Sequence, residues 1–369
     1  MSSARRARPT LSLPALLAAA TAAAALPRAA ALRPSAGCAA PAPPPIAPST
    51  LRWRSEVVAD PNLGATNRTS VLYLPASYAR ALQERSPVPL LLSFHGQWGD
   101  AMQDARNGQW PQQSELHGFV VAFPQGLDDC VGADCGTGWN VNNNISMAST
   151  CNASSFDQTC CYSSCRAIGQ CGGDGAAAAC SWSTCARDDV FVAALLVSLG
   201  AELCVDLDAV FATGGSNGGM LTHWLYARLP NVFAALVPVF GLPLRGFAEV
   251  PAALRGVSIM SLHDRSDEII PEAGGYADGW FYDSSDEVYG LWASLKGCAA
   301  APTPVDIPFP SAPNRNLACR EYLGCAAGGR VMRCLYDGHH GDEFRDVAAM
   351  TYWFVNQTRR SPALGENGF

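Results

Sequence analysis

The sequence predicts a three-layer α/β domain: a mostly parallel central sheet, helices on both faces and a disulfide-rich insertion. Three observations predict it. Unbroken apolar runs of strand length recur along the chain, runs of helix length alternate with them, and nine of fifteen cysteines crowd between Cys130 and Cys185. An unbroken apolar run marks a strand buried on both faces, as in a parallel sheet covered by helices on each side. With 369 residues, 49% hydrophobic and 15% charged, the chain is too apolar for a disordered protein.

The elements follow in order. Arg5, Arg6 and Arg8 precede an apolar run from Leu11 to Leu26, and small residues follow from Ala29, so residues 1–37 read as a signal peptide or targeting segment. The run is shorter than the roughly 20 residues that span a bilayer, and no stable membrane insertion is expected. Residues 38–50, rich in Pro and Ala, read as an extended linker. The domain is expected over 51–358, with a tail at 359–369. VLYLPASY from Val71 reads as an outer strand, and PLLLSFHG and GFVVAFPQG read as buried strands closing on glycine turns. Residues 129–187 lack apolar periodicity and form the cysteine-rich insertion. DDVFVAALLVSLGAEL from Asp188 is a helix that Asp188 or Asp189 can cap. AVFATGG, AALVPVFG, VSIMSLHD and VMRCLYDG supply strands. MLTHWLYARL, DEVYGLWASLKG and DEFRDVAAMTYWFVNQ supply helices. Strands alternating with helices in this way build a three-layer fold.

Charge and cysteine content exclude several functions. Five arginines and no acids lie before Ala39, leaving 20 basic against 32 acidic residues, or −12, in the remainder. So acidic a body is a poor binder of phosphate backbones, and no nucleic-acid partner is expected. Lys296 is the single lysine. Setting Cys38 aside leaves fourteen cysteines, an even number, and no histidine lies between Cys130 and Cys185 to complete a zinc knuckle. Disulfides and a secreted, extracellular location follow. Sequons at Asn67, Asn144, Asn152 and Asn356 suit a secreted surface.

The sharpest local signal is Gly214-Gly215-Ser216-Asn217-Gly218-Gly219, a G-x-S-x-G motif between a strand and a helix. A nucleophile elbow needs this arrangement, because glycines flanking the serine let strand and helix approach closely. Serine needs a base within hydrogen-bond reach. Of the six histidines, His339 and His340 alone follow Ser216 and the acids on a loop near the C-terminus, and His340 is favoured. The acid is expected in HDRSDEIIP, where Asp267 is preferred over Asp264, with Asp306 and Asp337 weaker. Backbone N–H groups for an oxyanion hole are expected from Asn217 and from Gln97, with Trp98 as the alternative to Gln97. His95 reads as a turn brace. Trp98, Trp110, Trp139, Trp182 and Tyr276 are candidates for stacking on a sugar or phenolic ring.

These residues resemble the secreted serine esterase family of the α/β-hydrolase superfamily that contains feruloyl esterases, acetylxylan esterases and polyhydroxybutyrate depolymerases. The resemblance runs from about Val71 to Gln357. LLLSFHG, GFVVAFPQG, Gly138-Trp139-Asn140, ATGGSNGGM, HDRSDEIIP and CLYDGHH carry it. It implies an α/β-hydrolase fold, with Asp267 on the family's acid and His340 on its base. Asp264 and His339 stand where the family has glycines. Gly341-Asp342 replaces the family's Trp-Pro. Hydrolysis of a carboxylic ester through a Ser216–Asp267–His340 triad and an acyl-enzyme is implied, with no metal or organic cofactor. The expected substrate is an ester on a plant or algal polysaccharide. The alternatives are a hydroxybutyrate-polyester depolymerase and a non-catalytic carbohydrate-binding module.

Overall fold

The sheet begins with an antiparallel pair, β1 (Leu51–Asp60) and β2 (Gly64–Tyr73). The apolar runs then enter as β3 (Val88–Phe94) and β4 (Val120–Pro124). Alternation within these runs decides the layers. Leu90, Leu92 and Phe94 enter one core cluster and Leu91 the other; Val120 and Ala122 likewise oppose Val121 and Phe123. A strand buried on both faces needs a helix layer over each. Helices Asp188–Glu202, Asn217–Arg228 and Ser285–Leu295 build on the first cluster, and Ala101–Asn107, Trp110–His117 and Val347–Val355 on the second. Each leucine so buried stabilises the fold by about 1.5–3 kcal/mol.

This computed structural model describes residues 32–39, 47–131, 133–141, 162–169, 182–245, 256–309, 315–342 and 346–358. The hairpin β5 (Leu127–Val131) and β6 (Asp134–Gly138) stands apart from the main sheet. The chain rejoins that sheet through β7 (Val205–Gly215), β8 (Ala235–Val239) and β9 (Ser258–Asp264). A second small hairpin, β10 (Gly275–Ala277) with β11 (Trp280–Tyr282), follows. The sheet ends with β12 (Thr303–Val305), β13 (Ala318–Tyr322) and β14 (Val331–Tyr336). The ten-stranded order is β1-β2-β4-β3-β7-β8-β9-β14-β13-β12. From β4 to β14 neighbouring strands are parallel, and antiparallel pairs flank them at both edges. The expected mostly parallel sheet with helices on both faces is therefore present.

The start of the domain differs from the sequence reading. Residues Leu32–Phe369 form one compact unit, so the packed body begins well before residue 51. Ser35 N–H donates to Val205 O at 2.9 Å, Pro34 bridges Asp206, and Arg33 pairs with Asp208 at 3.1 Å. Cys38, set aside as the odd cysteine, is bonded to Cys204. A few residues of irregular backbone leave no periodic signal; a cross-link and a strand bridge hold them instead. The segment up to Ala31, the tail and the sequons at Asn144 and Asn152 lie outside the described residues, while Asn67 and Asn356 are exposed.

The insertion is cross-linked where it is described. Cys130–Cys135 joins β5 to β6, and Cys165–Cys185 ties the short helix Ser163–Ala167 to the segment before helix Asp188–Glu202. Cys298–Cys325 and Cys319–Cys334 brace the far edge, so all ten described cysteines are paired. Neither Asp188 nor Asp189 caps the helix. Asp188 instead meets Arg68 at 2.6 Å in a pair whose side chains are 0% and 2% exposed. A buried guanidinium requires a carboxylate partner, and that requirement overrides the cap.

Candidate active site

The elbow is built by three backbones converging on Ser216. β7 delivers the chain, Ser216 turns it at φ 52° and ψ −122°, and helix Asn217–Arg228 leaves. A non-glycine residue in such a conformation costs about 1–3 kcal/mol and persists where surrounding contacts enforce it. Ser216 N–H donates to Val239 O at 3.0 Å and Ser216 O accepts from Met220 at 2.9 Å. The flanking glycines are a steric requirement. A Cβ on Gly214 would lie 2.6 Å from Phe94 O, and one on Gly218 would lie closer still.

The parallel sheet then brings two distant loops to the serine. His340, beyond β14, and Asp267, beyond β9, come from adjacent strands in register. His340 Nδ1 lies 2.8 and 2.9 Å from the two Asp267 carboxylate oxygens, and Nε2 lies 2.9 Å from Ser216 Oγ. A carboxylate only accepts, so Nδ1 carries the proton and Nε2 accepts from the serine hydroxyl. His339 faces away, 72% exposed at its side chain, with Nδ1 3.4 Å from Glu268.

Asp267 is held ionised although its side chain is fully buried. Burial opposes the charge, but hydrogen bonds from His263, His340 and the Ile270 amide outweigh it and hold its pKa at about 2. Asp264 ends β9 and shifts the other way. It is 0% exposed, neither carboxylate oxygen bonds another described residue, and burial followed by the Asp267 charge pushes its pKa to about 6. His263, read only as a strand end, shares its Nε2–H between Ile270 O at 2.8 Å and Asp267 at 3.3 Å. No spacing rule marks it, because the turn after β9 creates the contact. Asp337 pairs with Arg265 at 2.6 Å, away from His340, and among the described residues the His340 ring nitrogens meet Asp267 and Ser216, not Asp306.

The loop after β3 lies directly against the serine: a Cβ on Gly96 would stand 3.4 Å from Ser216 Cβ. Among the described residues, the N–H groups of Gln97 and Asn217 make no hydrogen bond, whereas Trp98 N–H is engaged by Thr137 O at 2.8 Å. His95 braces this loop, with Nδ1 2.7 Å from Gly96 O and Nε2 accepting from Gly126 N–H at 2.9 Å. Burial lowers its pKa to about 4, so it stays neutral. Asn217 is fixed by exchange with the insertion. Its Oδ1 accepts from Trp139 N–H at 2.7 Å and its Nδ2 donates to Trp139 O at 3.1 Å.

A cavity of about 330 Å³ beside Ser216 is lined by Phe94, Gly96 and Phe240 and by polar Asp100, Gln103 and Asn107. Phe240, missed in the sequence, sets its ring edge-on to His340 at 5.2 Å. Of the five aromatic candidates, Trp110 and Trp139 are buried core and Trp182 is half-buried, bonded to Tyr282 at 2.9 Å. Trp98 and Tyr276 are exposed at 54% and 47%.

Comparison with known proteins agrees with this architecture. The profile of the prolyl oligopeptidase family, Peptidase_S9, matches residues 183–242, the stretch that contains the elbow. The chain is 23% identical over 278 residues to feruloyl esterase B of Piromyces equi, covering 73% of this chain and 42% of that protein. It is 23% identical over 302 residues to the bifunctional acetylxylan esterase/xylanase XynS20E of Neocallimastix patriciarum, covering 76% and 35% respectively. The chain thus spans about two fifths of the length of these relatives. The acetyl xylan esterase structure from Aspergillus awamori superposes with a TM-score of 0.50 at 15% identity, covering 83% of this chain and 99% of that one. The shared fold is the α/β-hydrolase fold.

Proposed function

We propose that this chain, an α/β-hydrolase similar to esterases of that fold, hydrolyses carboxylic esters with Ser216 as nucleophile, His340 as base and Asp267 as orienting acid. The observation that carries the reading is the unbroken line of hydrogen bonds from Asp267 through His340 to Ser216 Oγ. In the reaction His340 Nε2 takes the hydroxyl proton as Oγ attacks the carbonyl carbon. Negative charge then develops on the carbonyl oxygen, and the free N–H groups of Gln97 and Asn217 are its donors. The imidazolium, steadied by Asp267, returns its proton to the leaving alcohol, and water repeats the sequence on the acyl-enzyme.

For the substrate, we favour an ester carried on a plant or algal polysaccharide, with a feruloyl or acetyl acyl group. The names of the relatives support this class. So do the Asp100, Gln103 and Asn107 side chains lining the cavity, which offer donors and acceptors to sugar hydroxyls. Five disulfides among the described residues support secretion into an oxidising, extracellular medium. The prolyl oligopeptidase match covers the elbow region, which serine hydrolases of this fold share, and gives no reason to prefer a peptide bond.

The test is hydrolysis of methyl ferulate, p-nitrophenyl acetate, acetylated xylan and a hydroxybutyrate oligomer by oxidised protein, with Ser216→Ala alongside. Cleavage of ferulate or acetylxylan, abolished by the substitution, is expected. Cleavage of the oligomer alone would make the protein a polyester depolymerase. Silence on all four would favour a binding module.

A further inference from the structure

The disulfide-rich insertion reaches the loop facing Ser216 at several points: Thr137 O accepts from Trp98 N–H, Trp139 Nε1 donates to His95 O, and a phenol meets the Gln97 side chain. Gln97 Nε2 donates to Tyr162 Oη at 2.9 Å, while Gln97 Oε1 is buried with no hydrogen-bond partner among the described residues. The Gln97 side chain is thus oriented by Tyr162. It also packs against the end of β6, where a Cβ on Gly138 would meet Oε1 at 2.5 Å. Tyr162 itself is 8% exposed and leads into helix Ser163–Ala167, which Cys165–Cys185 and the Ser164–Asp129 hydrogen bonds fix to the rest of the insertion. Next along the loop, Trp98 sits at φ 63°, a conformation that needs external support.

We propose that Tyr162 is a positioning residue for the oxyanion loop, and that the insertion holds the Gln97 N–H where negative charge develops during ester hydrolysis. The proposal rests on the reading of Gln97 as an oxyanion donor given above. A preorganised donor lowers the barrier because it does not reorganise as charge appears. With the phenol oxygen gone, the buried carboxamide loses its partner and the loop relaxes. The donor then moves by a fraction of an ångström, which weakens transition-state binding more than substrate binding.

The experiment is a double-mutant cycle on p-nitrophenyl acetate with wild type, Tyr162→Phe, Gln97→Ala and the double variant. Gln97→Ala keeps the backbone N–H and removes only the side chain that Tyr162 grips. Each single variant is expected to lose about 5- to 30-fold in kcat with KM within about twofold. In the Gln97→Ala background, Tyr162→Phe is expected to cost less than about twofold more, and thermal midpoints are expected to stay within about 2 °C. Unchanged kcat, additive losses, or a loss of activity that tracks a falling midpoint would overturn the proposal. Ser216→Ala separates the two claims. If it is active, the esterase reading fails; if it is inactive while Tyr162→Phe equals wild type, only the role of Tyr162 fails.

Discussion

Asp264 and Asp267 lie three residues apart and shift in opposite directions, because burial of Asp264 is offset by no donor from another described residue, whereas the Asp267 carboxylate accepts from His263, His340 and the Ile270 amide. Asp267, lowered to about 2, contributes stability above about pH 4 that is lost as pH falls through 2. Asp264, raised to about 6 from 3.8, binds a proton in the native state that the unfolded chain has released, so its effect on stability worsens as pH rises from about 4 through 6. Asp264→Asn is therefore expected to exceed wild type in stability by on the order of 2 kcal/mol above pH 7 and to match it near pH 4. Denaturant unfolding across that range checks this, and a pH-independent difference would contradict it. The neighbouring histidines should separate equally clearly. His340→Ala is expected to lose about 1,000-fold or more in kcat, and the exposed His339→Ala less than about threefold. The family resemblance favoured His340, but two adjacent histidines share one sequence environment. The direction of each ring becomes visible only when the loops after β9 and β14 are side by side.

At the scale of elements, the elbow is the part most legible in the sequence, since each glycine answers a contact that a side chain would block. Gly218→Ala would drive a methyl group into the Phe94 and His95 carbonyls. It is expected to destabilise the domain by about 2–4 kcal/mol and to abolish esterase activity, as measured by unfolding and p-nitrophenyl acetate assays. The parallel strands were legible for a related reason: burial on both faces writes an unbroken apolar run. Segment 32–39 was not, because its hold on the domain comes from Cys38–Cys204 and a few backbone bonds. That disulfide closes a loop of 166 residues. Replacing both cysteines by serine is expected to cost about 3–5 kcal/mol, and an unchanged denaturation midpoint would show that the segment adds nothing to the fold. The contacts of the insertion with Gln97 and Asn217 were equally hidden, since they join irregular backbone to irregular backbone.

Across the whole molecule, strand order does the assembling. Ser216, Asp267 and His340 are up to 124 residues apart in sequence, yet they leave the same ends of three strands, β7, β9 and β14, in one parallel run of the sheet. Chain order, with the family resemblance of HDRSDEIIP and CLYDGHH, pointed to these three residues. Substrate class is not written in the same way, because it depends on loops and on a cavity whose lining comes from several elements. The proposed function stands on an acyl-enzyme formed at Ser216. The most direct test is intact-protein and peptide mass spectrometry of the oxidised protein, quenched in acid during turnover of p-nitrophenyl acetate. An acetyl group on the Ser216 peptide, absent from Ser216→Ala and slow to clear in Asp267→Asn, is the expected result. Undiminished hydrolysis by Ser216→Ala, with no acetyl group on the Ser216 peptide of the wild-type protein, would contradict it.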